Sequence, residues 1–163
     1  MSVYFEIVNY CNMQCAHCGM NALSERAKNR QRMSWDTFCN AQALAPEDEE
    51  LWITVGGGEP TLHPLFRRMC ERLLEFTNWN IGVITNGSRP QKCAWMLQKM
   101  EEHCEMHQED RFHAILSLDQ FHNRAMVKDC VVSAFKLRGN IRTVTDIIRV
   151  GRARTSKTIP LYM

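Results

Sequence analysis

Three cysteines in the run "CNMQCAHC", Cys11, Cys15 and Cys18, are spaced four and three apart, so one short loop can present three thiolates to a single metal centre. Thiolate sulfur suits soft metals. The loop therefore suits three corners of an iron–sulfur cubane or three positions on zinc, and spacing alone does not choose between them. Most such sites use four protein ligands, and no fourth cysteine stands in this run. The two-cluster ferredoxin run is tighter and carries a further Cys before Pro; neither feature occurs here. Asn12, Gln14 and Gly19 would make a poor buried apolar cluster, which argues against plain core thiols.

A second group of residues has chemistry of its own. In "GGGEP", Gly56, Gly57 and Gly58 let backbone come close to a ligand or turn with φ above zero, and the carboxylate of Glu59 can help hold a cation. Thr85, Asn86, Ser117 and Asp119 are polar residues at the ends of apolar runs, a place where helix caps are also common. "DQFH", Asp119 to His122, offers a carboxylate and an imidazole as substrate anchors or as a proton-handling pair. His103 and His107 have a spacing that can hold a metal, but their setting, "MEEHCEMHQED", is highly charged and reads as solvated helix. Cys39, Cys70, Cys93, Cys104 and Cys130 are dispersed, mostly in helical segments, and core thiols are the default reading.

The elements that must position these residues follow from periodicity. "VYFEIVN", 3–9, alternates apolar residues and predicts a strand feeding the cysteine loop. Ser34 predicts an N-cap for a helix closed by Pro46. "LWITV", 51–55, predicts a buried strand running into the glycines. An amphipathic helix follows Pro64, with Leu65, Phe66, Met69, Cys70, Leu73, Leu74 and Phe76 on one face. Strands at 81–85 and 113–119, and helices over about 90–107 and 123–137, complete four βα repeats. Gly139 and Asn140 suit a helix end, and at least one further β-like run lies in "IRTVTDIIRVGRA". This alternation predicts an α/β fold with a parallel sheet, in which ligands sit at the carboxyl ends of the strands. All the unusual loops fall there.

Composition bounds the rest. With 163 residues the chain reads as one domain over 1–163, with 139–163 poorly assigned. No apolar run is long enough to span a bilayer. Without a basic n-region and apolar h-region, eight cysteines suggest reduced or metal-bound thiols in a cytoplasmic setting. The net charge of +2 says little about partners. Late basic residues, Arg138, Arg142, Arg149, Arg152, Arg154 and Lys157, read as a solvated face, with a nucleic-acid or nucleotide surface as the competing reading.

The cysteine loop after a first strand, "GGGEP" after the second, and "ITNGS" and "LSLD" ending the third and fourth together resemble the radical S-adenosylmethionine (SAM) superfamily. The resemblance implies a partial TIM-type barrel, here shortened and open because fewer than the usual six βα units are counted. It also implies a 4Fe-4S cluster held by Cys11, Cys15 and Cys18, with the amino and carboxylate groups of SAM on the fourth iron. By the same resemblance Gly56, Gly57, Gly58 and Glu59 serve the SAM amino group, His17 lies against the adenine, and Thr85 and Ser117, with Asn86 nearby, serve its carboxylate or ribose. Asp119 and His122 are the catalytic candidates. The implied partners are an electron donor such as flavodoxin or ferredoxin and a macromolecular substrate or second chain closing the open side. The implied activity is reductive cleavage of SAM to a radical that takes hydrogen from a peptide, nucleoside or small molecule. Glycyl-radical activation of a partner protein and a non-catalytic iron-sulfur or zinc module are the alternatives.

Overall fold

The computed structural model describes residues 1–46, 51–107 and 111–142. Five strands, β1 (Ser2–Val8), β4 (Trp52–Gly57), β5 (Asn80–Thr85), β6 (Phe112–Ser117) and β7 (Asn140–Arg142), form one sheet in the order β1-β4-β5-β6-β7. Every pairing in it is parallel. Neighbours in space are successive βα units, and β1 and β7 are the edges of the described sheet, so the barrel is open among the described residues. β2 (Tyr10–Cys11) and β3 (Leu23–Ser24) form a separate parallel pair that closes the cysteine loop at its base.

Each strand sorts its side chains by alternation. In β1, Phe5 and Ile7 are buried while Tyr4 and Glu6 point the other way and are exposed. Ile53 and Val55 of β4, Ile81 and Val83 of β5, and Phe112, Ala114 and Leu116 of β6 continue the same buried layer. Four helices, α1 (Trp35–Leu44), α2 (Phe66–Phe76), α3 (Pro90–His107) and α4 (Asp129–Arg138), follow β1, β4, β5 and β6 in turn. Of the expected α2 stripe, Leu65 is the N-cap and Phe76, the last residue of the helix, is exposed, whereas Phe66, Met69, Cys70, Leu73 and Leu74 are buried. Each such side chain contributes about 1.5–3 kcal/mol when fully buried. Ser34 caps α1 by accepting from the Thr37 amide at 3.0 Å, and Pro90 opens α3, where its missing N–H costs nothing.

Three further expectations change. The helix expected over 123–137 breaks into a short 3-10 turn, Arg124–Met126, and α4, because Val127 and Lys128 adopt extended backbone between them. The strand expected over 113–119 ends at Ser117, which releases Asp119 into a loop. His103, read as part of a solvated helix, is buried, whereas Cys104 and Cys130, read as core thiols, are exposed. β7 supplies part of the last β-like run; the remainder of that run and Arg149, Arg152, Arg154 and Lys157 lie outside the described residues.

Candidate active site

The glycine run is shaped first by the chain's own backbone. Gly57 has φ +135°, and a Cβ there would stand 2.0 Å from the Val8 carbonyl oxygen. A Cβ on Gly58 would stand 2.1 Å from the Tyr10 carbonyl oxygen. The amide of Gly58 donates to Val8 O at 2.9 Å and that of Glu59 to Tyr10 O at 3.0 Å. The absent side chains therefore let the segment entering the cysteine loop lie flat against the glycine turn.

Glu59 closes this turn and is 1% exposed. One carboxylate oxygen accepts from the amide and hydroxyl of Thr61 and, at 2.7 Å, from the Thr85 hydroxyl; the other accepts from the Asn86 amide at 2.7 Å. Burial pushes its carboxyl up, and these donors oppose that shift by favouring the charged form. The ammonium of Lys92 on α3 donates to the carbonyls of Thr61 and His63, fixing the far side of the same turn. His63 has a defined tautomer: Nδ1 accepts from the Leu65 amide at 3.0 Å, so Nε2 donates to Met33 O at 2.9 Å. Burial holds its pKa below the usual value, with Arg32 and Lys92 adding to the effect.

The cysteine loop leans on the end of β5. Cys11 is buried, and its sulfur accepts from the Met13 amide at 3.2 Å and the Asn86 side-chain amide at 3.4 Å. Asn86 also donates to Asn12, and Asn12 to the Ser88 hydroxyl. The Cys18 sulfur accepts from the Ala22 amide at 3.4 Å. Burial pushes the Cys11 thiol up to about 12, partly opposed by the Met13 amide. Thr85 and Asn86 thus direct their polar groups to Glu59 and to the cysteine loop.

Beyond β6, Asp119 stands between two imidazoles. Its Oδ1 lies 2.8 Å from His122 Nδ1 and accepts from the Phe121 amide at 2.9 Å. Its Oδ2 is 3.3 Å from His17 Nε2, with no aligned hydrogen bond, although the side chain is only 3% exposed. The rings of Phe121 and His122 both lie 5.0 Å from that of His17. Burial holds His17 below its usual pKa, while Asp119 pulls in the opposite direction.

These loops meet at two adjoining cavities. One, of about 130 Å³, is walled by Cys11, Cys15, Cys18, His17, Gly58, Glu59, Thr85, Asn86, Ser117 and His122. The other, of about 380 Å³, is walled by Gly56, Gly57 and Gly58 with Tyr4, Gly19, Met20, Thr54 and Arg142. Gly58, Ile84 and Ser117 belong to both walls, so the cavities share a border. Of the candidates named from sequence, all reach one wall or the other except Asp119, which stands behind His17 and His122. Sequence reasoning did not single out Tyr4, Asn12 or His63, and it placed Arg142 only within a basic face. Its pairing opposite Ser117 on β6 is what brings Arg142 to the cavity.

The Radical SAM superfamily profile matches residues 5–158. An S-adenosylmethionine-dependent nucleotide dehydratase from Thermoplasmatales archaeon (strain ISO4-H5) is 34% identical over 89 residues, covering 53% of this chain and 29% of that protein. The chain thus spans under a third of that relative's length. A solved structure described as native anSMEcpe with bound AdoMet matches with a TM-score of 0.57 at 18% identity, over 87% of this chain and 42% of that one. That likeness bears on the fold. The superfamily uses a 4Fe-4S cluster and SAM, and the residues here fit both. Three thiols share one wall, N–H groups point at the sulfurs of Cys11 and Cys18, contacts that orient cluster ligands and tune a cluster's potential, and a second cavity borders the first along the glycine turn. No described helix is long and apolar enough to cross a membrane.

Proposed function

The chain belongs to the radical SAM superfamily, and on that premise we propose that it is a radical SAM enzyme acting at the carboxyl edge of the β1–β6 sheet. When bound, the cluster and SAM supply one-electron cleavage of the sulfonium bond, giving methionine and a 5'-deoxyadenosyl radical that takes a hydrogen atom from substrate. The observation that carries this reading is the smaller cavity, whose wall joins all three cysteines to the ends of β4, β5 and β6.

The residues divide the work. Cys11, Cys15 and Cys18 would hold the cluster, and the Asn86 amide and the Met13 and Ala22 backbone amides steady two of their sulfurs. Gly56, Gly57 and Gly58 line the larger cavity and would offer backbone to SAM beside Tyr4, whose ring covers Gly56 and whose hydroxyl accepts from the Gly57 amide. Glu59 and Thr85 act by fixing that turn and not as free contacts, because the Thr85 hydroxyl donates to the carboxylate. Ser117, on both walls, is placed for the ribose or carboxylate, and Arg142 supplies a cation to an anionic group in the larger cavity. Asp119 holds His122 through Nδ1, with Nε2 available for a substrate group or proton, and its other oxygen lies 3.3 Å from the His17 ring that would face the adenine.

Anaerobic reconstitution with iron and sulfide, followed by strong reductant and SAM, tests the proposal. It predicts 5'-deoxyadenosine and its loss in Cys15→Ala, whereas Cys130→Ala, whose thiol is exposed on α4, keeps both cluster and product. A colourless protein carrying one zinc, or a cluster that yields no deoxyadenosine with any reductant, would favour a non-catalytic module instead.

A further inference from the structure

Asp119 and the two imidazoles beside it form a donor set that the described residues leave incomplete. A ligand atom from each of His17, Asp119 and His122 lies within 4.8 Å of the other two. Asp119 Oδ2 stands 3.3 Å from His17 Nε2, and Oδ1 stands 2.8 Å from His122 Nδ1. The three side chains are 13%, 3% and 8% exposed in chain order. Yet Asp119 Oδ2 and His17 Nδ1, both buried, have no hydrogen-bond partner among the described residues. Buried polar atoms left in that condition call for a ligand or an ion. Two imidazoles and one carboxylate, without sulfur, are a donor set of catalytic zinc. An ion with bonds of about 2.0–2.2 Å holds tetrahedral ligands about 3.3–3.6 Å apart, so modest ring rotations complete the set.

We propose that His17, Asp119 and His122 bind a zinc ion, separate from the cysteine-held centre, whose fourth position takes an oxygen of the substrate. The ligand set stands on its own geometry; its role toward substrate rests on the radical SAM reading. Both imidazoles wall the smaller cavity and Asp119 lies behind them, so the position opposite the carboxylate opens on that cavity. On binding, His122 Nδ1 exchanges its contact with Oδ1 for the metal and keeps its ring proton on Nε2. His17 binds through Nε2 with its proton on Nδ1, so both rings ligate in the neutral form. The Phe121 amide goes on donating to Oδ1 at 2.9 Å, the kind of outer contact that orients a ligating carboxylate, and Oδ2 is left for the ion. The ion polarises the substrate oxygen as a Lewis acid and ties the cysteine loop to the loop after β6. A plain pairing of His17 with Asp119 would aim the Nε2–H at Oδ2, and no such aligned bond is present.

The test uses the anaerobic, cluster-loaded protein, in which the three thiols are occupied, and zinc chloride as the probe. One zinc per chain should bind beyond the cluster iron, with the iron content unchanged. Its X-ray absorption should show nitrogen and oxygen neighbours at about 2.0–2.2 Å and no sulfur shell at about 2.3 Å. Asp119→Asn and His122→Gln should each weaken zinc binding by at least about tenfold, since loss of even an outer partner costs that much. Zinc should raise the urea midpoint of the unmodified protein and leave that of Asp119→Asn where it was; the midpoints without zinc report whether the variants fold. Absence of zinc beyond the thiols overturns the proposal, as does a sulfur shell or a zinc affinity indifferent to both substitutions. If no cluster assembles, the radical SAM reading fails, while the same absorption measurement on Cys15→Ala, which breaks the three-thiol set, still decides on this site.

Discussion

Two buried carboxylates stand at the same sheet edge and are treated in opposite ways. Glu59 is surrounded by donors from Thr61, Thr85 and Asn86, and both of its oxygens are engaged. Asp119 uses one oxygen on His122 and Phe121 and turns the other toward His17 without an aligned bond. A saturated polar network makes its surroundings rigid. A buried acceptor left short of partners marks a place where a ligand or a rearrangement supplies the remainder. Glu59 thus serves as the rivet of the glycine turn, and Asp119 as the adjustable support of two rings on the cavity wall.

The largest expected break in this comparison is Glu59→Ala, which strands several buried donors at once and should cost at least about 3 kcal/mol, read as a lower urea midpoint. Asp119→Asn keeps the oxygen that faces Phe121. It should leave that midpoint nearly unchanged, yet lower deoxyadenosine formation by about 10–100-fold, the range for groups that orient first-contact residues. An Asp119→Asn protein that melts like Glu59→Ala would erase the distinction.

His63 sharpens it by titration. Its folded pKa lies below 6.5, the unfolded value, so the fold holds the neutral ring and the unfolded chain takes up the proton first. Its contribution is therefore fully present above pH 6.5 and is lost as pH falls through the lower folded value. His63→Gln should cost about 1–2 kcal/mol at pH 7.5 and flatten the acid side of the stability profile. The smallest effect belongs to the exposed pair Arg138–Glu101, at 3.1 Å: Glu101→Ala should change stability by no more than about 0.5 kcal/mol.

The layout of strands and helices was legible because burial imposes local periods, two in β1 and near 3.6 in α2. The cysteine and glycine loops were legible because their composition has few other uses. The partners of those loops were not. Asn86 reaches Cys11 across 75 positions, and no periodicity encodes such a bond. Asp119 was read as a catalytic residue from its neighbour His122, but its place behind His17 depends on how two distant loops pack. The glycines were read as allowing ligand approach or turns with φ above zero; Gly57 has such a φ, and the neighbours that first require glycine are the backbone of Val8 at Gly57, the backbone of Tyr10 at Gly58 and the Tyr4 ring at Gly56. Arg142 looked like surface charge until strand order set it opposite Ser117. The split before α4 escaped because Val127, an apolar residue at helical spacing, is buried with extended backbone.

The central claim is that Cys11, Cys15 and Cys18 hold a cluster whose remaining position is taken by SAM. Electron paramagnetic resonance of the reduced, reconstituted protein with and without SAM tests it most directly. The account predicts a 4Fe-4S signal that changes on adding SAM and is absent in Cys15→Ala; a signal that SAM leaves unchanged, or one that survives in Cys15→Ala, would contradict it.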